Sequence, residues 1–384
     1  MPANPKPLSP HRMARRRARR RLALRTLAGV ALLAALLIAG HALLWRWMGS
    51  QLQDGFAAWA GERRAQGWRV EHAAPVRGGW PFSATLTLPR FRLAGGGPTL
   101  PSGMEWQAEA LRLQVSLSRV DRLVVEMPGR HRLRIGNAAW PFAADRLVAE
   151  LPMEHNVLPR AAVLEAARLR IGIATGAGAG TLEVRRSRLE IETRTAAIEG
   201  EPAVTLHGMA EGMALPGLAA GEPTALGRTV QQLALDMALT GPVPPSGGPA
   251  GRARAWRDGG GTLGLRGLDL RWGPVAASGT ATMTLDDALQ PRGAGTLKVT
   301  GAAEALDAAA AAGLLAPGTA GMARMAARLL ERPPADGGGP VLEVPLTLER
   351  QTLTLARIPL AKLGAWTWSI SSDAVQNPSV PPGE

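Results

Sequence analysis

Leu111-Arg112-Leu113-Gln114-Val115-Ser116-Leu117-Ser118 puts an apolar residue at every second position and a polar one between. A period of two is that of a strand with one dry and one wet face, because successive side chains leave a pleated backbone on opposite sides. The pattern recurs at Ala84 to Leu88, Leu182 to Val184 continuing to Leu189 and Ile191, Leu233 to Leu239, Leu263 to Leu270, Thr280 to Leu285, Thr296 to Val299, Val344 to Leu348 and Leu353 to Leu355. Strands that follow one another without crossover helices imply an antiparallel meander instead of a βαβ chain.

Several runs change phase partway, between Val184 and Leu189 and again at Gly267 between Leu265 and Leu268. A one-residue slip would turn the apolar set to solvent, so bulges, bends or strand ends are expected there, and bulged sheets curl. The connections are glycine-rich: Gly95-Gly96-Gly97, Gly176 to Gly180, Gly247-Gly248, Gly259-Gly260-Gly261 and Gly337-Gly338-Gly339. No Gly-Lys-Ser/Thr follows Gly176 to Gly180, so that segment reads as a loop and not as a phosphate cradle. Two alanine-dense patches, Ala303 to Leu315 and Gly321 to Leu330, read as helices separated by Pro317. Met322 and Met325 are expected to pack against the sheet, the alternative being a soft apolar binding surface.

Upstream, Leu27 to Trp45 is almost wholly apolar and has roughly the twenty residues that a membrane-spanning helix needs. Lys6, Arg12, Arg15, Arg16, Arg17, Arg19, Arg20, Arg21 and Arg25 precede it, while Trp45 and Trp47 follow, so the positive end is expected in the cytoplasm and the indoles at the opposite interface. A cleaved signal peptide shares the basic start, but the apolar run is long for one and Ala39-Gly40-His41 is a poor cleavage site. His41 is expected to reach lipid headgroups. Leu52, Phe56 and Trp59 then recur at helical spacing up to Gly67. The resulting plan is a basic cytoplasmic tail at 1–25, a transmembrane helix at 26–48, a juxtamembrane helix at 49–66, a periplasmic β-rich domain at 67–370 and a disordered tail at 371–384. The expected fold class is mainly β: the N-terminal transmembrane helix, then a large curved antiparallel sheet, groove-like or sandwich-like, with a few short helices.

The net charge of +13 would suggest nucleic acid, but the cations named above account for most of it and leave about +4 for the rest of the chain, so no nucleic-acid partner is expected. The chain has no cysteine, which excludes disulfides, thiolate metal sites and cysteine nucleophiles. His11, His41, His72, His131, His155 and His207 are scattered without metal-ligand spacing, and Asp286-Asp287 reads as a turn that caps its own backbone. No Gly-x-Ser-x-Gly, His-Glu-x-x-His or dinucleotide fingerprint occurs, so neither an enzyme nor a cofactor is expected. The most distinctive local feature is a repeated triplet, Trp80-Pro81-Phe82 and Trp140-Pro141-Phe142, each before a strand-like run. Proline fixes φ and restricts its predecessor, so each triplet is expected to form a rigid aromatic corner, with contact to lipid, glycan or protein as the alternative.

The basic start, the single apolar span and Gly78-Gly79-Trp80-Pro81-Phe82 opening a strand-rich region together resemble a family of anchored envelope proteins, domain of unknown function 2125. The last third is also similar to the C-terminal end of AsmA-like envelope proteins, through Leu263-Gly264-Leu265-Arg266-Gly267-Leu268-Asp269-Leu270, Ala277 to Ala281, the alanine-rich helices, Val344 to Leu348 and Ile358-Pro359-Leu360. That likeness implies a curved sheet with an apolar inner groove, tied to outer-membrane biogenesis and lipid movement. Membrane lipid and envelope proteins are the expected partners.

Overall fold

A computed structural model describes residues 10–95, 103–136, 138–153, 160–175, 178–194, 196–216, 226–244, 248–311, 317–332, 340–355 and 358–366. Lys6, His155, Leu314, Leu315 and the expected disordered tail lie outside the described residues.

The chain opens with α1 (Pro10–Ala65), one uninterrupted helix of 56 residues. The expected transmembrane segment and juxtamembrane arm are therefore a single rod, because no proline interrupts the stretch and isolated glycines do not break a helix on their own. It stops at Gly67, which takes φ +85. There the Trp68 N–H donates to the Arg63 carbonyl and the Gly67 N–H to Arg64, closing the helix end in a left-handed cap.

β1 (Arg69–Glu71) and β2 (Val76–Gly78) lie end to end along β3 (Ser83–Gly95). β4 (Met104–Ser116) takes the other side of β3 and then faces two partners, β5 (Arg119–Glu126) along one half and β6 (Arg130–Ile135) along the other. β7 (Ala138–Ala143) extends the β6 branch and β8 (Arg146–Pro152) the β5 branch, and both rejoin on β9 (Ala161–Thr175). A plain meander follows through β10 (Gly178–Thr193), β11 (Pro202–Ala214) and β12 (Thr229–Thr240). After α2 (Pro249–Asp258) come β13 (Leu263–Trp272), β14 (Val275–Leu285) and β15 (Pro291–Thr300). α3 (Ala302–Ala311) and α4 (Pro317–Leu330) then lead into β16 (Val341–Glu349), β17 (Thr352–Leu355) and β18 (Ile358–Lys362). Among the described residues all the strands belong to one antiparallel sheet of 18. Of the two arrangements the sequence left open, the chain takes the single sheet, and open twisted sheets beyond about ten strands curl.

The phase changes form a line across this sheet. On β3 the buried positions run Leu86, Leu88, then Phe91, and on β4 Ala108, then Leu111. Between them Arg90 is left-handed, with φ 50. The same slip passes β9 and β10 where pairing skips from Val184↔Leu169 to Arg186↔Ala167, and β11 where it skips Gly212. Arg168 (φ 48) and Gly212 (φ 60) occupy those points. Asp145, at the break between β7 and β8, takes both Arg168 and Arg170 in ion pairs. A further shift falls between Leu265 and Leu268 of β13, at the predicted Gly267. Each slip brings the apolar set back to the same face.

Three local expectations are corrected. Trp140-Pro141-Phe142 is no corner: it lies inside β7, where Gly172 of β9 leaves room for the Pro141 ring, since a Cβ there would fall 2.8 Å from it. Gly178 and Gly180 are not loop residues but begin β10, paired with Thr175 and Ile173. Met322 and Met325 do not pack on the sheet; each is 70% exposed, because α4 turns Ala327 inward instead. Pro317, expected as a breaker, starts α4, where a missing N–H costs nothing. Sequence reading missed β1, β2, β5 to β9, β11, β18 and α2, whose patterns are short or broken and carry no sustained period.

Candidate functional site

Two rows of side chains, read from strand pairing, cross most of the sheet on one face. One runs Leu164, Leu189, Gly208, Leu235, Leu268, Gly279, Leu297, Val344 from β9 to β16. Its neighbour runs Ala162, Ile191, Leu206, Met237, Leu265, Ala281, Gly295, Leu346 and on to Leu355 of β17. Neither contains a polar side chain. The opposite face carries ion pairs, across strands between Arg188 and Glu165, Arg266 and Asp236 at 2.6 Å, and Lys298 and Glu343 at 3.6 Å, and along β10 between Arg188 and Glu190. Alternation has thus sorted the whole sheet into one apolar and one charged surface.

Among the described residues the main cover lies at the two ends of the apolar face, with α2 adding Ala253 over Leu285 at one rim of β14. At the first, α1 lays Leu52, Phe56, Trp59 and Ala60 on a core of Leu86, Leu88, Phe91, Leu111 and Leu113 that reaches Ala166 of β9. At the other, α3 and α4 press Ala302 and Ala327 onto Leu342 and Val344. Between them β10, β11, β12 and β13 contribute to no buried cluster among the described residues, and their inward Leu, Ile and Met side chains are only half-buried. These four strands, spaced ~4.8 Å apart over roughly ten residues at ~3.3 Å each, make about 600 Å² of apolar surface. That exceeds the few hundred Å² a soluble monomer ordinarily leaves contiguous and bare.

The first aromatic triplet joins this sheet to α1. Trp80-Pro81-Phe82 forms the turn between β2 and β3, with a cis Trp80–Pro81 bond. The Trp45 Nε1–H donates to the Ser83 carbonyl at 2.8 Å, and His41 Nε2 lies 2.8 Å from the Pro81 carbonyl. Both rings meet Trp80 edge-on, at 4.8 Å for His41 and 5.8 Å for Trp45. His41 and Trp45 are therefore engaged with the sheet, where headgroup contact was expected, while Trp47 is exposed. From the second triplet Phe142 stacks on His131 at 4.8 Å, and His131 in turn lies against Trp106.

Buried polar groups sit at the α1 end. Glu105 accepts from Gln107 at 2.6 Å, pairs with Arg92 at 2.7 Å and with Arg134, and these hold its carboxyl down at about 2 against the opposing effect of burial. It borders a polar concavity of about 400 Å³ lined also by Arg69 and Arg134. His131 is pushed below its ordinary value by burial, although its Nε2 meets the Met127 carbonyl at 3.0 Å. Among the described residues no three His, Asp or Glu converge on one point. The geometry offers an apolar cradle.

The family described as "Uncharacterized protein conserved in bacteria (DUF2125)" matches residues 45–363. The match begins at Trp45, whose indole donates to Ser83 of β3, and ends one residue beyond β18. No curated protein and no solved structure matches the chain.

Proposed function

We infer the function of this chain, which belongs to the bacterial family DUF2125, from its uncovered apolar face. It is an inner-membrane-anchored envelope protein whose curved sheet takes up lipid acyl chains and so helps move lipid or assemble the outer envelope. The supporting observation is the pair of unbroken apolar rows from β9 to β16, which between β10 and β13 are half-buried and join no buried cluster among the described residues. An acyl chain needs such a surface and little else: burial at roughly 25 cal/mol per Å² supplies the affinity without polar anchors. α1 supplies the tether, with a window of mean hydropathy 2.3 of which nothing is packed inside the protein. The arginines before it favour a cytoplasmic N-terminus and a periplasmic sheet.

A photoreactive residue at Leu235 or Leu268 of the full chain, activated in intact cells, is expected to give phospholipid adducts. Reaction at Leu33 in the span with none at Leu235 and Leu268 refutes the groove. A second reading, an envelope scaffold for protein partners, draws on the stripe of Met322, Met325, Leu329 and Leu330 that α4 leaves exposed. Protein adducts from Met325 would support it.

A further inference from the structure

The turns of an antiparallel sheet alternate between its two ends, so register decides which turns are neighbours. The β2–β3 turn holds Trp80 and Phe82, and the β4–β5 turn leads into Val120. Pairing of Arg122 with Pro152 brings Met153, at the end of β8, to that same end. The β10–β11 connection adds Ile198, and the hydrogen bond from the Trp366 N–H to Gln290 brings Trp366 to the β14–β15 turn there. All are exposed: Phe82 by 80%, Ile198 by 66%, Val120 by 58% and Trp366 by 53%. Among the described residues, the other exposed large apolar side chains outside α1 are Leu363 at this same end, Val76, Met209 and the α4 stripe at the opposite end.

α1 fixes what this rim faces. His41 and Trp45 bond to Pro81 and Ser83, yet Leu43, Leu44 and Trp47 at the same level of the helix are still exposed apolar residues. One residue of helix advances only ~1.5 Å, so the β2–β3 turn lies alongside the last turns of the greasy span and not beyond it. We propose that the rim is seated in the interface of the membrane that α1 spans, with Phe82, Val120, Met153 and Ile198 among the acyl chains. The apolar face then opens on the lipid leaflet beside α2, which packs on Leu285 at this end, and tails pass from bilayer to sheet without crossing water. The proposal rests on reading α1 as a membrane span.

The chain has no cysteine, so single labels are specific. Phe82→Cys, Val120→Cys and Ile198→Cys would each carry an environment-sensitive fluorophore in the full chain, reconstituted in phosphatidylethanolamine and phosphatidylglycerol vesicles containing nitroxide-labelled lipid. Leu33→Cys reports the span; Met209→Cys and Met322→Cys report exposed sites away from the rim. Blue-shifted, quenched emission at 82, 120 and 198 as at 33, with neither at 209 and 322, is the expected result. Quenching at 33 but none at the rim overturns the proposal and leaves the anchor standing. Equal quenching at 209 and 322 also overturns it. No quenching at 33 overturns the anchor, and the seated rim with it.

Discussion

Gly212 shows how a single backbone angle keeps the apolar rows in phase. At φ +60 an added Cβ would come 3.1 Å from the Cβ of Arg185 and carry the usual penalty of a left-handed conformation. Gly212→Ala is therefore expected to lower stability by about 1–2 kcal/mol, measured by denaturant unfolding of the detergent-solubilised chain. Glu105 gives a pH prediction. Its folded carboxyl titrates near 2 against 4.5 unfolded, so its contribution is present above 4.5 and disappears as pH falls through 2. Glu105→Gln should lower neutral-pH stability and flatten the loss between pH 4.5 and 2; an unchanged acid limb would show that the ion cluster does not matter to folding. The sequence marked Gly267 through the phase of its neighbours, but it could not mark Arg90 or Arg168, whose left-handed angles depend on the strands beside them.

At the scale of elements, α1 is one rod doing two jobs, greasy on nearly all sides from Leu27 through Leu44 and one-sided from Met48 onward. Phe56 packs into the first core and stands edge-on to His72 at 5.2 Å. Phe56→Ala should cost about 2–3 kcal/mol, at or below the usual range for core aromatic truncation because the ring is partly exposed. Met325→Lys on α4 should leave the unfolding midpoint within about 0.5 kcal/mol of the parent, since the side chain touches little. The helical period of Leu52, Phe56 and Trp59 was legible in the sequence because those residues answer to a sheet beneath them. The outward turn of Met322 and Met325 was not, because an apolar stripe reads the same whether it is covered or bare.

Over the whole molecule, the central expanse of the apolar face joins no buried cluster among the described residues, which separates folding from function. Leu235→Asp in its middle should abolish lipid adducts at Leu268 while shifting the melting midpoint only slightly; a large fall in stability would mean that the face is packed after all. Alternation in Leu111 to Leu117, the greasy run from Leu27 and the arginines before it were enough to determine a β meander carried on one apolar helix, because period, length and charge are local properties of a chain. Only the tertiary structure decided that the strands stay in one sheet, that Trp140 to Phe142 is strand while Trp80 to Phe82 is a turn gripped by α1, and that β10 to β13 join no buried cluster among the described residues. Register and cover arise between segments far apart in sequence, and no single strand records what lies across its face.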